Sequence, residues 1–145
     1  MTSLVQRDHT SYDAARAERF EKKIVDILNA GALTLMLSVG HRTGLLDALA
    51  GAAPATSGEI AGRAGLQERY VREWLGAMTV GGIVEHDECT GTYALPVEHA
   101  AFITRSALGG NLAVFAQYIP LLGSVESDVL TCFRPSPGQK EGISI

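Results

Sequence analysis

The stretch from Thr56 to Pro96 constrains the fold more than any other part of the chain, because two helical patterns are followed there by two strand-length runs. Thr56-Ser57 is a capping pair that opens a short helix over residues 58–65. The next helix, residues 67–80, carries apolar residues at the i, i+4 and i+7 spacing of one buried stripe. The residues of this stripe are Val71, Leu75 and Met78.

Two strand signals come directly after the second helix. Gly81-Gly82 ends that helix, and residues 83–86 and 92–95 are short runs of β-forming residues. The polar residues 87–91 between them predict a hairpin turn. The pattern helix, turn, helix, hairpin is that of a winged helix-turn-helix. We therefore predict a mainly α-helical protein whose short antiparallel hairpin forms the wing.

The charge of this region bears on what a winged helix does here. Residues 41–96 contain four Arg and no Lys against seven Asp and Glu, a balance of −3, and the whole chain carries −4. A protein that docks on duplex DNA places Lys and Arg opposite the phosphates. The sequence therefore makes DNA an improbable partner and favours packing against protein. A winged-helix transcription regulator that binds DNA is the alternative function.

The region before the winged helix predicts a helical arm and a contact between subunits. Thr10-Ser11 is the predicted cap of a first helix with a charged, solvated face. After Asn29-Ala30-Gly31, apolar residues surround the next helix instead of lining one side of it, which predicts burial against a partner chain. We expect a homodimer. The predicted interface consists of Leu33, Leu35, Met36, Leu37 and Val39.

The region after the wing predicts three further helical segments. The first begins at Pro96 and runs through Phe102, and the second covers residues 106–119. Pro120 is expected to interrupt the chain before a last apolar stripe that ends at Phe133. The predicted organisation is a helical arm (1–23), a winged-helix domain (24–104), a helical extension (105–133) and a disordered tail (134–145).

Several short sequences in this order resemble one protein family. They are GLLDAL at 44–49, the Glu-Ile-Ala helix, REWL at 72–75 and GIVE at 82–85. Over most of residues 24–133 the chain resembles the N-terminal winged-helix domain of class I S-adenosylmethionine-dependent methyltransferases that act on small molecules. The resemblance implies a domain that mediates dimerisation and covers the substrate pocket. A separate, C-terminal Rossmann-like domain would then bind the cofactor and carry the chemistry.

The resemblance also implies what the chain lacks and which of its residues meet substrate. No Gly-x-Gly-x-Gly run follows a strand, so we expect no cofactor site in this chain and no catalysis by the chain alone. S-adenosylmethionine would bind only with the missing catalytic domain. By resemblance, Phe115 and Tyr118 are candidates for the acceptor pocket, and the alternative is that both are ordinary core or interface aromatics. The composition changes at Arg134, where the family's chain would continue into its cofactor domain, so we expect a truncated reading frame or an artificial end of the chain. A third alternative is that these residues represent one part of a working methyltransferase.

Other chemical constellations point away from catalysis and metal binding. His86, Asp87, Glu88 and Cys89 are consecutive across a turn, which predicts turn chemistry and no metal site. His41 follows a predicted helix end, where an imidazolium near the C-terminal dipole is a common stabilising arrangement, and His99 lies beside Glu98 without a nearby nucleophile, so neither is predicted to be catalytic. Tyr70 and Trp74 are predicted core aromatics, and the alternative is that their rings stack on a ligand.

Composition predicts the compartment. The start of the chain lacks the order of a signal peptide, and the apolar run 27–39 is too short to span a membrane. With two isolated cysteines, which predict free thiols, the chain is expected to be cytoplasmic and to have no membrane partner.

Overall fold

The computed structural model describes residues 11–135 of the chain. The described residues form helices and one two-stranded antiparallel sheet, which confirms the predicted fold class. They belong to two compact units, divided between Ala32 and Leu33. The elements are α1 (Ala14–Thr43), α2 (Leu45–Leu49), α3 (Ser57–Ala64), α4 (Glu68–Val80), β1 (Glu85–Asp87), β2 (Thr92–Ala94), α5 (Val97–Ile103), a 3-10 helix (Leu112–Gln117) and α6 (Tyr118–Cys132).

The first unit, as far as it is described, is the beginning of α1. Its cap is Asp13, whose Oδ1 accepts a hydrogen bond from the backbone N–H of Arg16 at 3.0 Å. The predicted cap was therefore wrong for Ser11, which precedes the helix, while Thr10 lies outside the described residues. Lys22 Nζ pairs with Asp26 Oδ2 at 2.9 Å on the solvated face. The apolar residues of this unit are exposed: Phe20, Ile24, Val25, Ile27 and Leu28.

α1 does not break where the sequence suggested a break. It continues through Asn29, Ala30 and Gly31 to Thr43. A glycine inside a helix costs only about 1 kcal/mol relative to alanine, which neighbouring turns of good helix formers offset. The predicted boundary between residues 23 and 24 thus falls inside one helix, and the domain limits stay predictions.

The length of α1 bears on the membrane prediction. Within the described part of the chain, α1 is long and apolar enough to cross a bilayer by length and composition, with a mean hydropathy of 1.4 over its most apolar window. The core helix of a soluble protein can have the same length and apolar composition. From Leu33 onward, α1 contributes side chains to the core of the second unit. Length alone therefore does not make α1 a membrane helix.

The second unit begins its helix-turn-helix with a capping box. Thr56 N–H donates to Glu59 Oε2 at 2.8 Å, and Glu59 N–H donates to Thr56 Oγ1. The hydrogen bonds from the Thr56 backbone and hydroxyl lower the pKa of the Glu59 carboxyl. Gly65 ends α3 with φ of 66°, in the left-handed region that favours glycine. The predicted capping pair and turn are confirmed.

The core of this unit is built around α4. Val71, Leu75 and Met78 are buried on one side of α4, as their spacing predicted. They pack with apolar residues of the neighbouring elements, and these partners are Leu45, Leu46, Leu49, Ile60, Ala61, Val84, Leu95 and Ala100. A continuous core of this kind is the main source of stability for a domain of this size.

The wing is a short hairpin anchored to the loop before α3. Glu85 pairs with Ala94, and Asp87 pairs with Thr92, across the turn. On its other side, β2 forms an isolated bridge in which Tyr93 N–H donates to Ala55 O at 2.8 Å and Ala55 N–H donates to Tyr93 O at 3.1 Å. The loop of Ala55 thus acts as a third, one-residue strand.

The segment after α5 differs from its prediction. Residues 106–119 do not form one helix: turns and a 3-10 helix, Leu112–Gln117, precede α6. Leu108, predicted on a helical stripe, is fully exposed, and the residues that do pack inward are Ala113 and Ala116. Pro120 does not interrupt α6 but lies in its first turn, where the missing N–H has no helical partner to lose. Of the predicted tail, residues 136–145 lie outside the described residues.

The second part of α1 meets α4 at a glycine. A Cβ atom on Gly40 would collide with Cζ2 of Trp74 and come within 3.2 Å of Leu46 Cγ. Trp74 Nε1 donates to Met36 O at 2.8 Å, one turn earlier on α1. Gly40 is therefore required so that the indole can lie directly on the helix backbone.

We predict that Gly40→Ala destabilises the protein by about 1–3 kcal/mol, because the added methyl group overpacks the contact with Trp74. Gly76→Ala is the matched control: Gly76 is exposed in the interior of α4 with open space around its Cβ position. It should be neutral or stabilise by up to about 1 kcal/mol. Urea unfolding followed by circular dichroism measures both. Equal free energies of unfolding for Gly40→Ala and the unmodified protein would contradict a tight contact.

Candidate functional site

The outer face of α4 is where a winged helix would read DNA, and it carries charges of both signs. Arg72 Nε lies 3.8 Å from Glu68 Oε1, one turn earlier on the helix. The same carboxylate oxygen accepts a hydrogen bond from Ser57 Oγ at 2.7 Å, which ties α4 to the start of α3. Arg69 and Glu73 are exposed beside this pair. The face therefore carries both signs of charge instead of a basic surface.

The wing tip adds negative charge. The Asp87 carboxylate accepts hydrogen bonds from Cys89 N–H at 2.9 Å and from the Thr90 hydroxyl at 2.8 Å. These bonds, that from the Thr90 side chain foremost, lower the pKa of Asp87 and keep it ionised. Glu88 is exposed next to it. Among residues 11–135, no group of three or more His, Cys, Asp and Glu side chains could hold a metal ion.

The two aromatic residues of α4 have different positions. Trp74 is only 4% exposed, and its indole N–H bonds to Met36 O, so its predicted core role is confirmed. Tyr70 is 66% exposed, so its predicted core role was wrong. Tyr70 lies in the first turn of α4, one turn before Trp74, where the core does not cover its side chain.

A polar junction, which no sequence pattern predicted, joins the end of α1 to the segment after α5. The Arg105 guanidinium donates to the Asp47 carboxylate and, at 2.6 Å, to the backbone carbonyl of His41. The backbone N–H of Arg105 also donates to Asp47 Oδ1 at 2.8 Å. Asn111 Nδ2 lies 3.3 Å from His41 Nδ1. These residues are 58 to 70 positions apart, so no local pattern could have predicted the junction.

The apolar surface after this junction contains the two predicted pocket residues. Phe115 in the 3-10 helix and Tyr118 at the start of α6 stack with ring centroids 6.1 Å apart. They are 59% and 56% exposed, so the structure brings them together on the surface and not in a closed pocket. None of the fifteen residues of α6 is buried. Its exposed apolar residues are Ile119, Leu121, Leu122, Val125, Val129 and Leu130.

The five predicted interface residues of α1 separate into two groups. Leu33, Met36 and Leu37 are partly buried against the core of their own unit. Leu35 and Val39 are 40% and 36% exposed. These two line a shallow depression of about 420 Å³ with Ser38, Arg42, Thr43 and Pro120. The exposed pair is what remains available to a partner.

Together, the helix-turn-helix, the hairpin and the shared core define a winged helix-turn-helix domain. The model of the Rv2258c-like winged HTH domain family matches residues 31–105, just over half of the chain. The chain belongs to this family. No curated protein matches its sequence.

Solved structures share the fold at low sequence identity. PigF, solved with SAH, has a TM-score of 0.60 and 22% identity over 76% of this chain and 33% of its own. The mitomycin 7-O-methyltransferase MmcR has a TM-score of 0.64 and 18% identity over 82% of this chain and 36% of its own. Human N-acetylserotonin methyltransferase, solved with SAM, has a TM-score of 0.62 and 15% identity over 84% of this chain and 36% of its own.

This chain therefore spans about a third of the length of these three proteins. The resemblance expected from the sequence, to the winged-helix domain of S-adenosylmethionine-dependent methyltransferases, is confirmed for the fold.

We predict at most weak, sequence-independent binding to duplex DNA, because α4 is charge-paired and the wing tip is acidic. Gel shifts at physiological salt, with several DNA sequences, test this. The double variant Arg69→Glu, Arg72→Glu should behave as the unmodified chain does, and so should Arg19→Glu, a control on the first unit. A sequence-dependent shift that only the double variant abolishes would instead establish a DNA-reading protein.

Proposed function

We propose that this domain is the dimerisation and substrate-lid domain of an S-adenosylmethionine-dependent methyltransferase, and that the chain alone has no methyltransferase activity. One observation carries the proposal: α6 is fifteen residues long, rich in apolar side chains and without a buried residue. Two solved methyltransferases, mitomycin 7-O-methyltransferase and human N-acetylserotonin methyltransferase, contain a domain of this fold. The matched region is about a third of the length of each.

The exposed surface of α6 supports a protein cover. Monomeric soluble proteins rarely expose large contiguous apolar patches, and burial of one large apolar side chain contributes about 1.5–3 kcal/mol. We assign the cofactor-binding domain as the cover of α6. Phe115 lies in the 3-10 helix just before α6 and Tyr118 at the start of α6, at one end of the proposed contact with the cofactor-binding domain. We therefore propose that they form part of the wall of the acceptor pocket between the two domains.

The cofactor is assigned to the separate domain as well. A dinucleotide-type cofactor site needs a glycine-rich turn between a strand and a helix N-terminus. In the described residues, Gly58 and Gly62 lie within α3, Gly81 follows α4, and Gly82 precedes the wing. None of these positions forms such a turn.

We predict that the chain alone does not bind S-adenosylmethionine. Calorimetric titration at tens of micromolar protein should give only heats of dilution, because these residues offer no backbone N–H cradle for the cofactor. Saturable binding of one cofactor per chain with a micromolar dissociation constant would overturn the proposal. Such a constant corresponds to a binding free energy of about −8 kcal/mol.

Dimerisation is assigned to α1. Leu35 and Val39 lie one turn apart and are exposed, and they flank the partly buried residues that anchor α1 to its own core. A two-fold symmetric pair of such helices would cover both residues on each chain. Cys89 and Cys132 are exposed free thiols, which supports our placement of the protein in the reducing cytoplasm.

We predict a dimer at tens of micromolar, corresponding to an affinity of about −6 to −7 kcal/mol, measured by light scattering after gel filtration. Leu35→Glu should give a monomer, because it places a charge in the apolar contact. Val97→Glu on α5 is the matched control, since Val97 is an exposed valine away from this pair, and it should leave the mass unchanged.

A variant on the other surface separates the two assignments. Val129→Glu on α6 should not dissociate the dimer. A monomeric unmodified chain would refute dimerisation, and a change of mass with Val129→Glu alone would move the interface to α6.

A further inference from the structure

The Asn111 side chain holds two hydrogen bonds that fix its orientation. Its Oδ1 accepts from the backbone N–H of Ala113 at 3.0 Å, which caps the 3-10 helix. Its Nδ2 lies 3.3 Å from Nδ1 of His41, in the last turn of α1. A backbone N–H can only donate, so the atom facing Ala113 must be the amide oxygen. The NH₂ group of Asn111 therefore faces His41 and donates to it.

This geometry determines the protonation state of His41. A ring nitrogen that accepts a hydrogen bond carries no proton, so His41 must be neutral with its proton on Nε2. His99 is the opposite case: its Nδ1 lies 2.8 Å from Ile83 O, a carbonyl that only accepts, so Nδ1 of His99 carries the proton. A second proton on His99 leaves that bond intact. His86 stacks on Tyr93 at 4.4 Å between centroids.

We propose that His41 and Asn111 form a pH-sensitive latch that holds the 3-10 helix to the end of α1 and opens when His41 is protonated. The imidazolium has N–H groups at both ring nitrogens, so it cannot accept from Asn111. The amide of Asn111 must then either leave His41 or rotate to offer its oxygen, and in both cases nothing at His41 holds Oδ1 on the Ala113 N–H any longer. Rotation removes the oxygen from Ala113, so the cap of the 3-10 helix is lost.

The charged groups around His41 come from three elements. Asp47 of α2 attracts an imidazolium, and so do the carbonyl groups at the end of α1. Two cations disfavour a positive charge on the His41 ring. The guanidinium of Arg105 donates to the His41 carbonyl, and Arg42 is the next residue on α1. The Arg105 contacts to Asp47 and to the His41 carbonyl use no ring nitrogen of His41, so they do not require a neutral imidazole. The opening is therefore confined to the contact of Asn111.

The latch controls the beginning of the exposed apolar surface. The 3-10 helix carries Phe115 and leads directly into Tyr118 and α6. With the latch closed, Asn111 tethers this segment to α1, while buried Ala113 and Ala116 pack it onto the domain. In mildly acidic solution the packing remains and the tether is lost, so the segment becomes more mobile. This inference stands on the contacts of His41 and does not depend on the proposed function.

Nuclear magnetic resonance of the ¹⁵N-labelled chain tests the latch directly. At pH 8 the His41 Nδ1 signal should be that of an unprotonated ring nitrogen, and the His99 Nδ1 signal that of a protonated one. Between pH 7.5 and 5.5, a range of about one unit on either side of the usual histidine midpoint, the Ala113 amide shift should follow the protonation of His41. After correction for the intrinsic pH dependence of exchange, Ala113 exchange should rise about two- to ten-fold, as expected for one lost hydrogen bond.

Two variants sharpen the test. Asn111→Asp keeps an acceptor for the Ala113 N–H and places a carboxylate beside His41, so its Ala113 exchange should fall instead of rise on acidification. His86→Gln removes a titrating ring from the wing and should leave the Ala113 response unchanged. A protonated Nδ1 on neutral His41, or an Ala113 amide that does not respond to its titration, would overturn the latch. A response that disappears in His86→Gln would overturn it as well.

Discussion

The contact of Trp74 with α1 is the constraint on which the rest of the domain depends. The indole lies against the backbone of α1 at Gly40, and its N–H bonds to the carbonyl of Met36 one turn earlier. This arrangement satisfies the one polar group of a large side chain while the ring is removed from water, which is the condition for burying a tryptophan favourably. It joins the part of α1 after Leu33 to α4, the helix that carries the central stripe of the core.

The position of the end of α1 has further consequences. The carbonyl of His41, one residue after Gly40, accepts a hydrogen bond from Arg105, and Arg105 is tied to Asp47 at the start of α2. The segment after α5 is held through this junction, although the apolar side chains that it buries are small, Ala113 and Ala116. A few directed polar contacts thus do here what apolar burial does in the rest of the domain.

Sequence reasoning succeeded where the deciding interaction is local. The capping box of Thr56 and Glu59 spans three residues, the stripe on α4 repeats every helical turn, and the wing turn is closed by Asp87 within three residues. It was wrong at Gly31, where good helix formers in the neighbouring turns carry α1 through the glycine. It was also wrong after Ser106, where contacts between residues far apart in the sequence hold a segment that forms no regular helix until Tyr118.

The candidate site could be predicted only in part for the same reason. Phe115 and Tyr118 were selected by resemblance and do lie together, yet their role in an acceptor pocket stays a prediction. The bonds of Arg105 to Asp47 and of Asn111 to His41 join residues far apart in the sequence. Neither residue type nor spacing distinguishes such pairs from the many other polar residues of the surface.

The two exposed apolar surfaces place different demands on their partners. On α1 the exposed pair of Leu35 and Val39 is small and lies beside side chains that are already packed, so the same surface of a second chain suffices to cover it. On α6 the apolar residues 121, 122, 125 and 129 lie on one stripe along the helix, and Leu130 lies to one side of it. This stripe is longer than the pair on α1 and has no buried neighbours on its own helix. Covering α6 therefore needs a larger apolar surface than covering Leu35 and Val39 does.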